Sequence, residues 1–133
     1  MSAFEKYFGP MNEHTLGVML LYVRHFAHEV ENYLDWYETA VEQGKMKREE
    51  TEVETELIRQ SMPLLAKGIY EIENELGKLG MVPIWTKPQW LSNYQKEGPI
   101  TEEDIENYFL IQEKLAALFE ARTIIGELNQ PDS

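Results

Sequence analysis

The three histidines of the chain are the residues whose type and spacing could bind a metal ion. His25, His28 and Glu29 fall within about one turn of a predicted helix, where two such side chains can reach one ion. A di-iron carboxylate bundle, however, requires Glu-x-x-His on two helices, and no glutamate stands three residues before any histidine of this chain. The helical register also places the histidines outside the predicted core. The sequence therefore predicts no metal and no cofactor, and a metal- or cofactor-binding bundle is kept as an alternative.

Motifs of catalysis are not found in the sequence. It has no Gly-rich phosphate loop, no nucleophile elbow and no spacing of serine, histidine and acid that indicates a triad. Carboxylate pairs are too frequent among 24 acidic residues to mark a site. Cysteine is absent, which excludes disulfides, thiolate metal ligands and a cysteine nucleophile. We therefore expect no enzyme activity and assign no catalytic residue.

Aromatic, proline and lysine residues are concentrated in one irregular segment, residues 81–99. Tryptophan and tyrosine beside lysine are residue types that anchor protein interfaces, and such a loop could insert into a partner. In the alternative, both tryptophans pack back on the body, because a loop of this length needs packing of its own to stay ordered. The candidate partner-binding residues are Trp85, Lys87, Trp90 and Tyr94.

Glycine and proline divide the chain into the elements that would position these residues. The predicted fold class is all-α: an elongated helical bundle of three long helices with short N-terminal and insert helices. We expect dimerisation with a second copy to complete the bundle. A length of 133 residues fits a single helical domain. The predicted segments are a leader helix at 2–8, long helices at 12–43, 48–79 and 101–128, and the insert at 81–99.

The ends of the long helices carry recognisable signals. Asn12 is a good N-cap for the first helix and Gly44 a good C-terminal stop. Thr101 followed by Asp104 predicts a capping box at the start of the third. Pro63 lies inside the second helix, where it removes one backbone hydrogen bond, and we expect a kink or a break just before it.

Apolar residues occupy three heptad positions of the first long helix rather than two. A stripe of this width suits a bundle in which each helix has two neighbours, and three helices alone do not cover such faces. The sequence therefore predicts a homodimer. A second patch continues along the outer face of the first helix, and its residues are the candidate oligomer interface: Val18, Leu21, Tyr22 and His25.

The charge of the chain restricts its partners. Twelve basic and 24 acidic residues give a net charge of -12, which disfavours direct binding to nucleic acid or to anionic membranes and leaves a basic protein as a partner. The start of the sequence lacks the pattern of a secretory signal, and no apolar run is long enough to span a membrane. We expect a cytoplasmic protein.

Together these features predict a non-catalytic protein–protein interaction module that acts as a helical dimer, as an assembly factor, accessory subunit or regulator. The alternative is an acidic mimic of nucleic acid that inhibits a basic DNA- or RNA-binding protein. Its phosphate mimics would be the glutamates of residues 49–56 and the acids of residues 102–106. The same acids also suit the positive ends of helix dipoles, so charge alone does not separate the two interpretations.

Overall fold

The computed structural model describes residues 3–94 and 98–128, with side chains as far as residue 121. Within these ranges the chain forms helices and no strand, which confirms the all-α helical bundle. Ser2 and residues 95–97, assigned above to the leader and the insert, lie outside the described residues. The helices are α1 (Ala3–Phe8), α2 (Glu13–Glu42), α3 (Arg48–Lys78) and α4 (Glu102–Leu128), and a short 3-10 helix spans Gln89–Asn93.

The ends of α2 form as the sequence predicts. The Asn12 side chain accepts a hydrogen bond from the Thr15 N–H at 2.9 Å. At the other end Gly44 adopts a positive φ of 72°, and the Lys45 N–H donates to the carbonyl of Ala40 at 2.9 Å. The left-handed conformation of this glycine lets the N–H groups that follow donate to a carbonyl of the last helical turn, and it directs the chain into α3.

A capping box begins α4. The Thr101 N–H donates to the Asp104 carboxylate at 2.9 Å, and the Asp104 N–H donates to the Thr101 hydroxyl at 3.1 Å. The Lys67 ammonium of α3 lies 2.8 Å from the same carboxylate. Burial raises the pKa of the Asp104 carboxyl, but the hydrogen bonds from Lys67 and Thr101 outweigh it, so that its pKa lies below the usual 3.8.

We expect Asp104→Asn to lower the free energy of unfolding by about 1 kcal/mol at pH 7, because the amide keeps the cap but loses the charge. Since the pKa of Asp104 is lower in the folded state than in the unfolded one, its contribution is complete above pH 3.8 and is lost as pH falls through the folded-state pKa. Urea unfolding at pH 7 and at lower pH measures this, with Glu103→Gln as the control. If Asp104→Asn were less stable than wild type by the same free energy of unfolding at every pH, the prediction would be contradicted.

Helix α3 continues through Pro63 without interruption, so a break is excluded. Proline leaves the carbonyl four residues earlier, that of Arg59, without its helical donor. Both Pro63 and Arg59 are exposed, and water can therefore solvate the freed carbonyl. The proline is tolerated because it faces away from the core.

Helix α3 lies at the centre of the bundle, and both α2 and α4 pack on it. The early turns of α2 and α4 lie beside Ile72 of α3 and their later turns beside Ile58, so both run antiparallel to α3 and point in the same direction. The core around Ile69 joins all three helices to the insert, and its other members include Ala27, Val30, Trp90 and Leu115. No described helix is long and apolar enough to cross a membrane.

Several large apolar side chains of α2 and α4 lie at the surface. Tyr33 of α2 and Phe109 and Leu110 of α4 are each more than 40% exposed. The reason is geometric: α2 and α4 each bury the face that meets α3, while Tyr33 and Phe109 face the gap between α2 and α4. Leu110 lines no part of that gap and lies on the outer face of α4. The wide stripes predicted from the heptads are therefore only partly covered within this chain.

Candidate functional site

The gap between α2 and α4 forms a long open groove, called below the α2–α4 groove. Its floor is α3, through residues such as Ile58, Ser61, Leu65, Gly68 and Ile72. Three adjoining cavities of about 340, 210 and 360 Å³ follow one another along it, because neighbouring cavities share lining residues. On α2 the groove extends from Val18 to Trp36, which is about 27 Å at 1.5 Å per residue.

The first and most apolar section lies beside α1. Its walls include Tyr22 and Phe26 of α2 and Tyr108 and Phe109 of α4. Tyrosine hydroxyls are the only polar side-chain groups among its lining residues. Burial raises the pKa of Tyr108 to about 12, so this hydroxyl stays protonated at neutral pH.

Helix α1 lies across one end of the groove. Phe4 is buried, and the ring of Phe8 meets the ring of Phe109 edge-on at 6.3 Å between centroids. Lys6 forms an ion pair with Glu102 at 2.9 Å. The Tyr7 hydroxyl donates to the Glu106 carboxylate at 2.6 Å, and this hydrogen bond raises the pKa of Tyr7 to about 12.

At the opposite end, aromatic rings connect α2 to α4. The ring centroid of Phe119 lies 5.7 Å from that of Tyr33 and 6.5 Å from that of Tyr37. Trp36 lies beside this contact, lines the third cavity and is 56% exposed. An exposed tryptophan at the rim of an apolar groove is the residue type most enriched at binding hot spots.

The predicted oligomer-interface residues lie at the α2 rim of this groove. Val18 and Tyr22 line the first section, and Leu21 and His25 are exposed on the adjacent outer face. Leu21 and Tyr22 are each 64% exposed. The structure thus brings these four residues together on one accessible surface.

The predicted partner-binding residues of the insert lie on the other flank of α2, away from the groove. Trp90 is 5% exposed, and its indole N–H donates to the Ala27 carbonyl at 2.7 Å. Trp85 is half-buried, with the guanidinium of Arg24 at 5.7 Å from its ring. Lys87 pairs with Glu73 at 2.9 Å.

Tyr94, the fourth of these residues, is half-buried, and its ring meets that of Trp90 edge-on at 5.8 Å between centroids. Its carbonyl accepts a hydrogen bond from the Tyr70 hydroxyl at 2.9 Å. The most exposed apolar side chains of the insert are instead Val82 and Ile84, the latter 96% exposed.

The histidine cluster of α2 takes part in packing. His28 Nε2 lies 2.9 Å from the Thr86 carbonyl of the insert, and the ring of His25 contacts that of Phe26. Across the part of the chain that the structure describes, no three histidine, aspartate or glutamate side chains are grouped so as to hold a metal ion.

The rim of the groove is acidic. On α4, Glu113 and Glu120 lie at helical spacing with Phe109 and Ala116, two groove-lining residues. They continue the line of Glu102 and Glu106, which contact α1, further along the helix. Glu29 of α2 lines the groove from the facing side.

The sequence analysis did not identify Trp36 as a site residue. One signal was present: Val18, Tyr22 and Trp36 recur at helical spacing along one line of α2, outside the core stripe. A second aromatic line on a helix that is already apolar on its core face indicates an uncovered surface.

Similarity to known proteins does not supply a function for this groove. No family model, curated protein or solved structure matches the chain. The groove, its exposed aromatic residues and its acidic rim are the features from which a function can be inferred.

Proposed function

We propose that this protein is a non-catalytic protein-binding module, acting as an assembly factor, accessory subunit or regulator, and that it binds its partner in the α2–α4 groove. One observation carries the proposal: an apolar groove of about 27 Å runs between α2 and α4 and is open between α1 at one end and the Phe119 ring at the other. Contiguous exposed apolar surface of this kind is typical of protein interaction sites.

The chemistry of the lining supports binding rather than catalysis. Active sites combine an apolar pocket with several convergent polar groups. In the first section the tyrosines are the only polar side chains, and Tyr108 keeps its proton at neutral pH. The second section is also lined by Glu29, Ser61 and Gln112, but the Ser61 hydroxyl donates to the Ile58 carbonyl of its own helix.

The predicted homodimer through Val18, Leu21, Tyr22 and His25 is part of the same proposal. These residues are accessible, and a copy of the chain could cover them. Light scattering over a concentration series measures the mass of the purified protein. A mass of two chains supports the dimer, whereas a single-chain mass at all concentrations contradicts it.

The experiment that tests the proposal compares affinity capture by wild-type protein with capture by a Tyr33→Glu/Trp36→Glu variant in extract of the native source. Both side chains line the groove and are exposed, so we expect the fold to survive. Ile84→Glu is the matched control, because it changes an exposed apolar side chain outside the groove.

We expect a partner that wild-type protein and Ile84→Glu retain in equal amounts and that the groove variant loses at least tenfold, because buried carboxylates oppose binding. Circular dichroism must show equal helix content in the three proteins. Equal recovery of every protein by the groove variant and by wild type would contradict the proposal.

A further inference from the structure

Building on the function proposed above, we infer that the α2–α4 groove binds one basic, amphipathic α-helix of another protein. That helix would occupy the fourth position of a four-helix bundle of which this chain supplies three. Recognition of this type seats the apolar face of a helix in the groove and leaves its polar face in solvent.

The packing of the bundle defines a vacant fourth corner. Both α2 and α4 pack on α3 and make little contact with each other, which is the arrangement of three neighbouring helices of a four-helix bundle. The groove lies at the remaining corner, opposite α3, and both of its walls are helices that already point in one direction. A helix is about 10 Å wide with its side chains, and one of about 18 residues is as long as the 27 Å groove, whose first section it would share with the aromatic residues of α1.

Helix α1 already uses this recognition chemistry at one end of the groove. Its aromatic residues Phe4 and Phe8 line the first section, and its cation Lys6 reaches Glu102 on the α4 rim. Tyr7 reaches the next rim carboxylate, Glu106. A single helix can therefore place aromatic side chains in the groove and, at the same time, donate hydrogen bonds to the acidic rim.

The acidic rim continues beyond α1, and its Glu113 and Glu120 side chains are exposed. Glu113 and Glu120 extend along the α4 wall past the point where α1 ends, and Glu29 faces them from α2. A helix with lysine or arginine beside its apolar stripe would neutralise these charges. A second copy, which the proposed dimer would bring to the α2 rim beside Leu21 and His25, fits less well inside the groove, since each chain has a net charge of -12 and brings its own acidic rim to the contact.

The test uses three labelled 18-residue peptides and fluorescence anisotropy at low salt. The probe contains leucine and phenylalanine at helical spacing i, i+3, i+4 and i+7, with lysine at the other positions. One control has the same composition with the apolar spacing scrambled, and the other replaces every lysine by glutamate. We expect the probe to bind at least tenfold more tightly than either control.

Two matched double variants locate the charge effect. Glu113→Lys/Glu120→Lys reverses the rim, whereas Glu52→Lys/Glu56→Lys makes the same change in net charge at exposed positions of α3 that line no part of the groove. We expect the rim variant to weaken binding of the probe about tenfold and the α3 variant to weaken it much less. Equal effects of the two variants would show non-specific attraction and would overturn the inference.

Failure of this inference can be distinguished from failure of the proposed function. If the partner captured above depends on Tyr33 and Trp36 but the three peptides bind equally or not at all, the groove binds a protein by other chemistry and the basic-helix inference is wrong. A wild-type dimer that Tyr33→Glu/Trp36→Glu dissociates would identify a second copy as the occupant and would also overturn it. The basic-helix inference would also be overturned if native mass spectrometry found an apolar small molecule bound to the chain.

Discussion

Trp90→Ala will lower the free energy of unfolding by about 3–5 kcal/mol. The side chain is buried between the insert and the bundle, in the core that includes Ala27, Ile69 and Leu91. Its indole N–H also donates a 2.7 Å hydrogen bond to the Ala27 carbonyl. Truncation leaves a cavity and removes the contact that attaches the insert to α2. A loss of this size is a large part of the 5–15 kcal/mol that stabilises a typical domain.

Two further variants separate the contributions to this loss. Trp90→Phe keeps much of the ring volume but removes the N–H donor, and we expect a loss of about 1–2 kcal/mol. Trp36→Ala removes an indole that is 56% exposed, and the expected change is within about 0.5 kcal/mol. Urea unfolding followed by far-UV circular dichroism measures all three, since tryptophan fluorescence changes with the substitution. If Trp90→Ala and Trp36→Ala destabilise equally, the insert is not packed as described.

Ile69→Ala is the second large effect, with an expected loss of about 2–5 kcal/mol. Ile69 is fully buried in the middle of α3, the helix on which both α2 and α4 pack. A cavity there removes contacts with both outer helices and with the insert, whose residues belong to the same core. Close packing on every side leaves little room for the surroundings to collapse into the space.

Leu110→Ala provides the matched control for Ile69→Ala. Leu110 is an aliphatic side chain of α4 of the same size as Ile69, but it is 48% exposed. We expect a change of less than about 1 kcal/mol, because little apolar surface is removed from the core. Thermal unfolding of the two variants compares them directly. A loss for Leu110→Ala as large as that for Ile69→Ala would show that the outer face of α4 is covered in solution.

The contrast between Trp36 and Trp90 bears on the proposed function. Trp90 stabilises the fold, whereas Trp36 contributes little to the fold and lies where a partner would bind. Because Trp36 is exposed and Trp90 is buried, substitutions of the two residues separate binding from folding. We therefore expect Trp36 substitutions to act on partner capture and Trp90 substitutions to act on stability.

The sequence by itself determined the helices and their ends. Asn12, Gly44 and the Thr101 and Asp104 pair act on backbone groups within a few residues, so the sequence contains the information that places these boundaries. The core face of α3 also follows helical spacing in the sequence, since Ile58, Leu65, Ile69, Ile72 and Leu76 recur three, four or seven residues apart and are all buried.

Only the tertiary structure decided which apolar residues stay uncovered. Periodicity places Tyr33, Phe109 and Leu110 on apolar stripes, but it does not say which helices become neighbours. Burial depends on contacts between residues far apart in the chain, such as Trp90 with Ala27, 63 residues away. Because α2 and α4 both pack on α3 and the insert covers the far flank of α2, the α2–α4 groove remains open. The site we propose is thus a property of helix arrangement, which local sequence patterns do not encode.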